Sequence, residues 1–275
     1  MIYIFVLLSY YYRVEMRSAA AVTERYLTEL FEQLYSAINT EEIRTQQECK
    51  AFRAFSDQIQ SLQPGNHSSS TAVASQPHIR RFPSSADDYQ TAVQQAYEDT
   101  IMDLSFYETE YGESYLESLS EEFGTEMATA VSSPHCFTHA AKQALLFRIA
   151  EALSKRENLL ETLSDERHSI ATSESELTSL ISQIDHIEAT MGTSSDHRTR
   201  DGYQQRLSVL SDQCESVAHN RQGVIQSQRE TYCDEPSDPD LTAYLYQSVE
   251  PTYPVLSLCS SLASQIDTLR SELSS

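Results

Sequence analysis

Apolar residues recur every three to four positions over most of this chain, and the recurrence divides it into long helices. The first seam runs Leu27, Phe31, Leu34, Ile38, Glu41, Thr45, Glu48, Phe52, Phe55, Ile59, Leu62, with eight of eleven positions apolar. Its three polar positions are consecutive. Asn39 and Glu42, just beside them, have capping-box spacing. Residues 17–62 therefore read as one helix with a polar centre or as two helices. The clearest seam lies further on: Leu145, Ile149, Ala152, Arg156, Leu159, Leu163, Glu166, Ile170, Ser173, Leu177, Leu180, Ile184, Ile187, Met191. Eleven of these fourteen positions are apolar, between a Thr138 start and a Gly192 stop. A helix of that span is about 80 Å long. Such a stripe must meet another helix, and Arg156 and Glu166 are placed to fix its register.

A weaker seam follows residues 192–202, read as a turn: Leu207, Leu210, Cys214, Val217, Arg221, Val224. An 11-residue connection cannot run back along so long a rod, so this helix is expected to be antiparallel to the one before it. Leu241 to Val249 predict a short helix. Pro254 is suited to the first position of a last helix on Leu258, Leu262, Ile266, Leu269 and Leu273.

Between the long seams the pattern changes. Residues 63–85 (QPGNHSSSTAVASQPHIRRFPSS) carry three prolines and a serine run and read as a disordered linker. Residues 84–124 interleave aromatics with carboxylates. Ser85 and Asp88 mark a helix start, Tyr89, Val93, Tyr97, Ile101, Leu104 and Tyr111 follow helical spacing, and Gly112 ends or bends that helix. Tyr115, Leu116, Leu119 and Phe123 mark a shorter helix closed by Gly124. Thr125 begins another, to about Val131.

Ile2 to Tyr12 are apolar, but 11 residues fall short of the roughly 20 that a membrane span needs. Arg13 follows them where a signal peptide would have positive charge ahead, although Ala19 to Ala21 would suit cleavage. Residues 1–16 remain an upstream extension with the start at Met16, a membrane-associating leader or a signal. The organisation expected is thus a leader (1–16), a long helix (17–62), a linker (63–85), a helical core (86–232) and a C-terminal linker with short helices (233–275).

Charge narrows the function classes. The net charge is −22, with 16 Arg against 3 Lys. Such a surface repels phosphate backbones and disfavours nucleic acid as a partner. Acidic excess with Arg in place of Lys suits molar salt, where the Debye length is about 3 Å and self-repulsion is screened. An ordinary acidic cytosolic protein is the alternative. The five cysteines (49, 136, 214, 233, 259) lie far apart with no CxxC, which argues against a disulfide framework or a zinc ribbon and for a reducing, cytoplasmic setting.

No spacing makes a strong chemical site. His135, Cys136 and His139 are the sharpest metal candidate, but His135 precedes the Thr138 cap, so one helix face does not present both histidines. Asp165 with His168 and Asp185 with His186 are single coincidences. Phosphate-cradling glycine motifs are absent, and Gly202 stands alone. Glu108, Glu110, Glu113, Glu117, Glu121 and Glu122 read as a solvated helical face rather than as acid–base pairs. The tyrosines at 97, 107 and 111 read as core with hydroxyls reaching the surface. A partner patch and a stacking site for a small ligand are the alternatives. No catalytic, cofactor or metal residues are assigned.

The block AYEDTIMDLSFYETEYGESYLESLSEEFG at 96–124, with CFTHAAKQALLFRI at 136–149 and ENLLETLSDERHSI at 157–170, resembles an uncharacterised haloarchaeal family. The residues carrying the likeness are Tyr97, Glu98, Ile101, Met102, Tyr107, Glu110, Tyr111, Gly112, Glu113, Glu122, Phe123, Gly124, Phe137 and Thr138, over a span of residues 20–190. The resemblance implies a halophilic archaeon and an all-helical protein, and no activity. The overall expectation is an all-α chain of long antiparallel, coiled-coil-like helices with shorter helices packed against them. Its role is expected to be structural or protein-binding, by self-association or with another protein. Neither a cofactor nor a small-molecule substrate is expected, and a membrane is involved only if residues 2–12 anchor. Tyr97, Glu98, Tyr107, Glu110, Tyr111, Gly112 and Glu113 form the core or the partner patch.

Overall fold

The computed structural model describes residues 24–62, 86–132, 138–191, 197–232 and 240–274. The leader 1–16, the linker 63–85 with its Ser85 start, His135, Cys136 and Phe137, the Gly192 stop and residues 233–239 lie outside the described residues. The fold is all-α, as the seams require. In chain order the helices are α1 (Glu24–Ser61), α2 (Ala86–Glu98), α3 (Tyr107–Glu110), α4 (Tyr115–Phe123), α5 (Thr125–Ser132), α6 (His139–Met191), α7 (His197–Tyr232), α8 (Leu241–Leu245) and α9 (Pro254–Ser274). None is long and apolar enough to cross a membrane.

Helix α1 passes through its polar centre as a single 38-residue helix. It contains no Pro or Gly, and the polar positions have work in the fold: Thr45 is buried, and Glu41 and Glu48 both accept side-chain hydrogen bonds. The Asn39–Glu42 spacing marks no boundary. Helix α6 starts where the sequence indicates, the Thr138 hydroxyl accepting the Ala141 N–H at 3.2 Å.

Three local expectations need correction. First, residues 89–111 are not one helix. Helix α2 stops at Glu98, where the Tyr97 carbonyl accepts the N–H groups of Thr100, Ile101 and Met102 at 3.3, 2.9 and 3.2 Å. The regular ladder is lost there, and the four-residue α3 follows only at Tyr107. The apolar spacing survives the break because each piece faces the same core. Second, Leu116 is 52% exposed rather than buried with Tyr115, Leu119 and Phe123. Third, α7 begins at His197, so Gly202 is an interior helical residue, and α8 ends at Leu245 rather than Val249.

Gly112 does end a helix. Its φ of +57° lies in the left-handed region, and a Cβ there would stand 3.2 Å from the Glu108 carbonyl oxygen. Two residues on, Glu117 reaches back to the Ser114 N–H at 3.0 Å and its hydroxyl at 2.6 Å, a capping box that opens α4. Gly112→Ala is expected to cost about 1–2 kcal/mol, the usual cost of a left-handed L-residue, as measured by urea denaturation. A loss below a few tenths would show that the turn relaxes freely.

The chain forms two compact units, one of residues 42–162 and one of residues up to 41 together with 163 onward. In the first, α1 and α6 run antiparallel, since Glu48 meets Arg156 while Gln60 meets Lys142. Its core joins Phe52, Phe55 and Ile59 of α1 to Leu145, Ile149 and Ala152 of α6, with Val93, Tyr97, Tyr107, Leu119, Phe123 and Val131 from the short helices between. In the second unit α7 and α9 are antiparallel: Gln204 meets Ser274, and Cys214 meets Cys259. Helix α6 runs parallel to α9, since the charge of Glu176 acts on Cys259 and Gln265 donates to Glu188. Helices α6 and α7 are therefore antiparallel to each other, as their short connection predicts. Leu163, Ile170, Leu177, Leu180, Ile184 and Ile187 of the α6 seam are buried there against helices of the same chain.

Candidate functional site

The polar residues that interrupt the seams bring ionised groups into the packed interior. In the first unit, Arg156 of α6 donates from Nε to Glu48 of α1 at 2.7 Å. Its two terminal nitrogens bind both oxygens of Glu122 of α4, at 2.8 and 2.9 Å. The guanidinium carbon sits 3.9 Å from the centre of the Phe52 ring. Burial works against its charge, but the two carboxylates outweigh it and push the Arg156 pKa up. Tyr111 completes the group by donating its hydroxyl to Glu48 at 2.7 Å.

In the second unit, Glu166 of α6 and Arg221 of α7 form a fork-to-fork pair at 2.8 and 2.6 Å. Both side chains are almost fully enclosed, at 0% and 2% exposure. Gln228 donates to Glu166 at 2.9 Å and Tyr246 at 2.7 Å, while Arg221 also donates to Ser169 and Thr242. Burial alone would push the Glu166 carboxyl up. The Arg221 charge and four donated hydrogen bonds win and hold it below the usual range. Tyr246 goes the other way, its phenol pushed well up by burial and by the neighbouring carboxylate. The crevice beside it, lined by Arg221, Thr242, Tyr246 and Tyr253, is too tight for a water molecule. A dry setting strengthens the pair and makes its separation costly.

The residues singled out in the aromatic block divide three ways. Tyr97 and Tyr107 are core, at 1% and 3% exposure. The Tyr97 ring meets Phe55 edge-on at 5.3 Å and Tyr115 at 5.6 Å, and its hydroxyl shares a hydrogen bond with Ser118 at 2.8 Å. Burial pushes the phenols of Tyr97 and Tyr107 up, and that of Tyr115 up to about 12. Among the described residues the buried Tyr115 hydroxyl has no hydrogen-bond partner, whereas the Ser118 side chain acts on the Tyr107 phenol. Tyr111 is different: 47% exposed, its ring 5.5 Å from Tyr107 and its hydroxyl on Glu48. Gly112 makes the turn. Glu98 accepts from Gln94 at 2.8 Å, Glu110 from Arg44 at 2.6 Å, and the charge of half-buried Glu113 acts on Tyr107.

The row of glutamates is thus more than a solvated face. Glu110, Glu117 and Glu122 each bind a named partner: an arginine on α1, the α4 cap and an arginine on α6. Among the described residues no group of three or more His, Cys, Asp and Glu side chains gathers as a metal site. His139, Asp165, His168, Asp185 and His186 are exposed. The spacing of the sequence did not reveal Gln228, Thr242 or Tyr246. Gln228 is one heptad beyond Arg221, so extending that seam would have found it, and Tyr246 follows directly on the apolar Leu241 and Leu245.

A family model described as a domain of unknown function, DUF7260, matches residues 29–270. The match reaches through α7, α8 and most of α9, beyond residue 190 where the sequence resemblance stops. Neither a curated protein nor a solved structure matches the chain. With nearly all of the described helices inside the matched span, the chain belongs to the DUF7260 domain family.

Proposed function

We propose that this chain is a non-catalytic helical protein of a halophilic archaeon, working in the cytoplasm by binding protein, either another copy of itself or a different partner. The observation that supports this reading is the use made of the ionised groups within the seams. Glu48 and Glu122 are engaged with Arg156, and Glu166 with Arg221, as structural ties. The Glu166 carboxyl, a hydrogen-bond acceptor held below its ordinary range, is ill suited to exchange protons near neutral pH. The aromatic block is in this reading mainly core, and its outer edge, with Tyr111 and Leu116 exposed beside Glu108 and Glu121, is the surface offered to a partner. Halophily is supported by the −22 charge, the excess of Arg over Lys and the haloarchaeal likeness of residues 96–124. A membrane-anchored role rests on residues 2–12 and is the second reading.

Light scattering of the full chain in molar potassium chloride, over a range of concentrations, tests self-association. Capture by the tagged chain from a native high-salt lysate, set against a Tyr111→Ala/Leu116→Asp variant, tests a partner. A strictly monomeric chain that retains no protein at fixed stoichiometry, or retains it equally well in the variant, would overturn the proposal.

A further inference from the structure

Helices α7 and α9 approach closely enough to bring Cα atoms within 8 Å of each other across their shared face. Cys214 and Cys259 face each other there. Both are free thiols, buried at 2% and 3% exposure, and the Cys214 sulfur donates to the Cys259 backbone carbonyl at 3.2 Å. Cys49, the other cysteine among the described residues, lies in the other unit. We propose that Cys214 and Cys259 form an oxidant-inducible disulfide that ties α9 to α7. Antiparallel helices in tight contact offer the short Cα separation that a disulfide needs, about 4.4–6.8 Å.

The two thiols are not equivalent. A second, thiol-to-thiol hydrogen bond, with Cys259 as donor, lowers the pKa of Cys214, while the same bond together with burial raises that of Cys259. Cys214 is therefore the thiol that attacks the oxidant first, and Cys259 the one that resolves it. A small oxidant suits a buried pair, and hydrogen peroxide is the class we name. The Cys214 thiolate attacks one peroxide oxygen, the O–O bond breaks, and hydroxide leaves with the second oxygen, giving a sulfenic acid. The Cys259 sulfur then attacks the Cys214 sulfur, the S–O bond breaks, and the hydroxyl leaves as water with the Cys259 proton. Two thiols and one peroxide give one disulfide and two waters, the sulfurs losing the two electrons the peroxide gains.

The test uses the full chain in molar salt. After treatment with hydrogen peroxide and quenching, thiols are counted under denaturing conditions, and peptides are mapped without reductant. The expected result is a fall from five thiols to three per chain, with one linked peptide pair joining Cys214 to Cys259. Dithiothreitol should reverse it, and amide exchange in α9 should slow in the oxidised chain. In Cys259→Ser, Cys214 should persist as a sulfenic acid that a dione reagent captures. The proposal is overturned if Cys214 and Cys259 stay alkylatable while other thiols oxidise, or if they pair with Cys49, Cys136 or Cys233. Because the mapping is done on the unaltered chain, the result does not depend on how well the serine variant folds.

Discussion

Replacing Arg221 with methionine is expected to lower stability by about 3–5 kcal/mol, the usual consequence of leaving one charge of a buried pair without its partner. Glu166 would keep its hydrogen bonds from Gln228 and Tyr246 but lose the guanidinium on both oxygens. Salt cannot replace it, because screening acts on exposed charges and this pair is enclosed. The penalty should therefore be as large in molar salt as in dilute buffer. Acid sharpens the test. In the native chain the Glu166 carboxyl is held below its ordinary value of 4.5, so its contribution is present above that pH and is lost as pH falls through the lowered value. In Arg221→Met burial pushes the same carboxyl up instead. The variant then gains relative stability as pH falls, and the gap between the two proteins narrows toward pH 4. Replacing Glu166 and Arg221 together by leucine and methionine should recover most of the loss. Urea denaturation followed by far-UV circular dichroism at several pH values gives all three numbers. A penalty under about 1 kcal/mol, or one that grows in acid, would contradict the account of the pair.

Phe55→Ala should cost a similar amount, about 3–5 kcal/mol, for a different reason. Phe55 is fully buried and lies between Tyr97, met edge-on at 5.3 Å, and Phe123, stacked at 6.2 Å. Truncation leaves a cavity among three helices that meet at that ring, and it removes two ring contacts worth roughly 0.5–1.5 kcal/mol each. The chain has no Trp, so its near-ultraviolet dichroism reports mainly on tyrosines. Loss of the Tyr97 packing should show there as well as in the denaturation midpoint. A variant with an unchanged midpoint would mean that the aromatic block is not core.

The two longest helices, α1 and α6, were largely legible because seams without Pro or Gly leave few alternatives. The α6 start at Thr138 and the α9 start at Pro254 follow from local chemistry that sequence displays directly. The pairing of the interruptions was not legible. Arg156 and Glu166 stand out as charged members of an apolar row, and so does Arg221. Which of them meet depends on how the helices pack, and the partners lie up to 108 residues apart. Helix α2 illustrates the opposite failure. Tyr89 to Tyr111 keep an i, i+3, i+4 rhythm through a break, because periodicity records which residues face the core and not whether the backbone between them is continuous. In the candidate block, the burial of Tyr97 and Tyr107 could be anticipated from hydrophobicity. The exposure of Tyr111 could not, since it follows from the turn at Gly112 and the reach to Glu48.

Lys142 carries a consequence of another kind. Its ammonium donates to the carbonyls of Gln60, at 2.7 Å, and Leu62, at the C-terminal end of α1, where α1 has no basic residue in its own last turn. A compact cation with three donors suits that end of a helix dipole. In a chain with only three lysines, Lys142 is buried while Lys50 and Lys155 are exposed. Amine-directed acylation should thus label two of the lysines quickly and the third only when the end of α1 frays, so that the protein contains its own chemical clock for that opening.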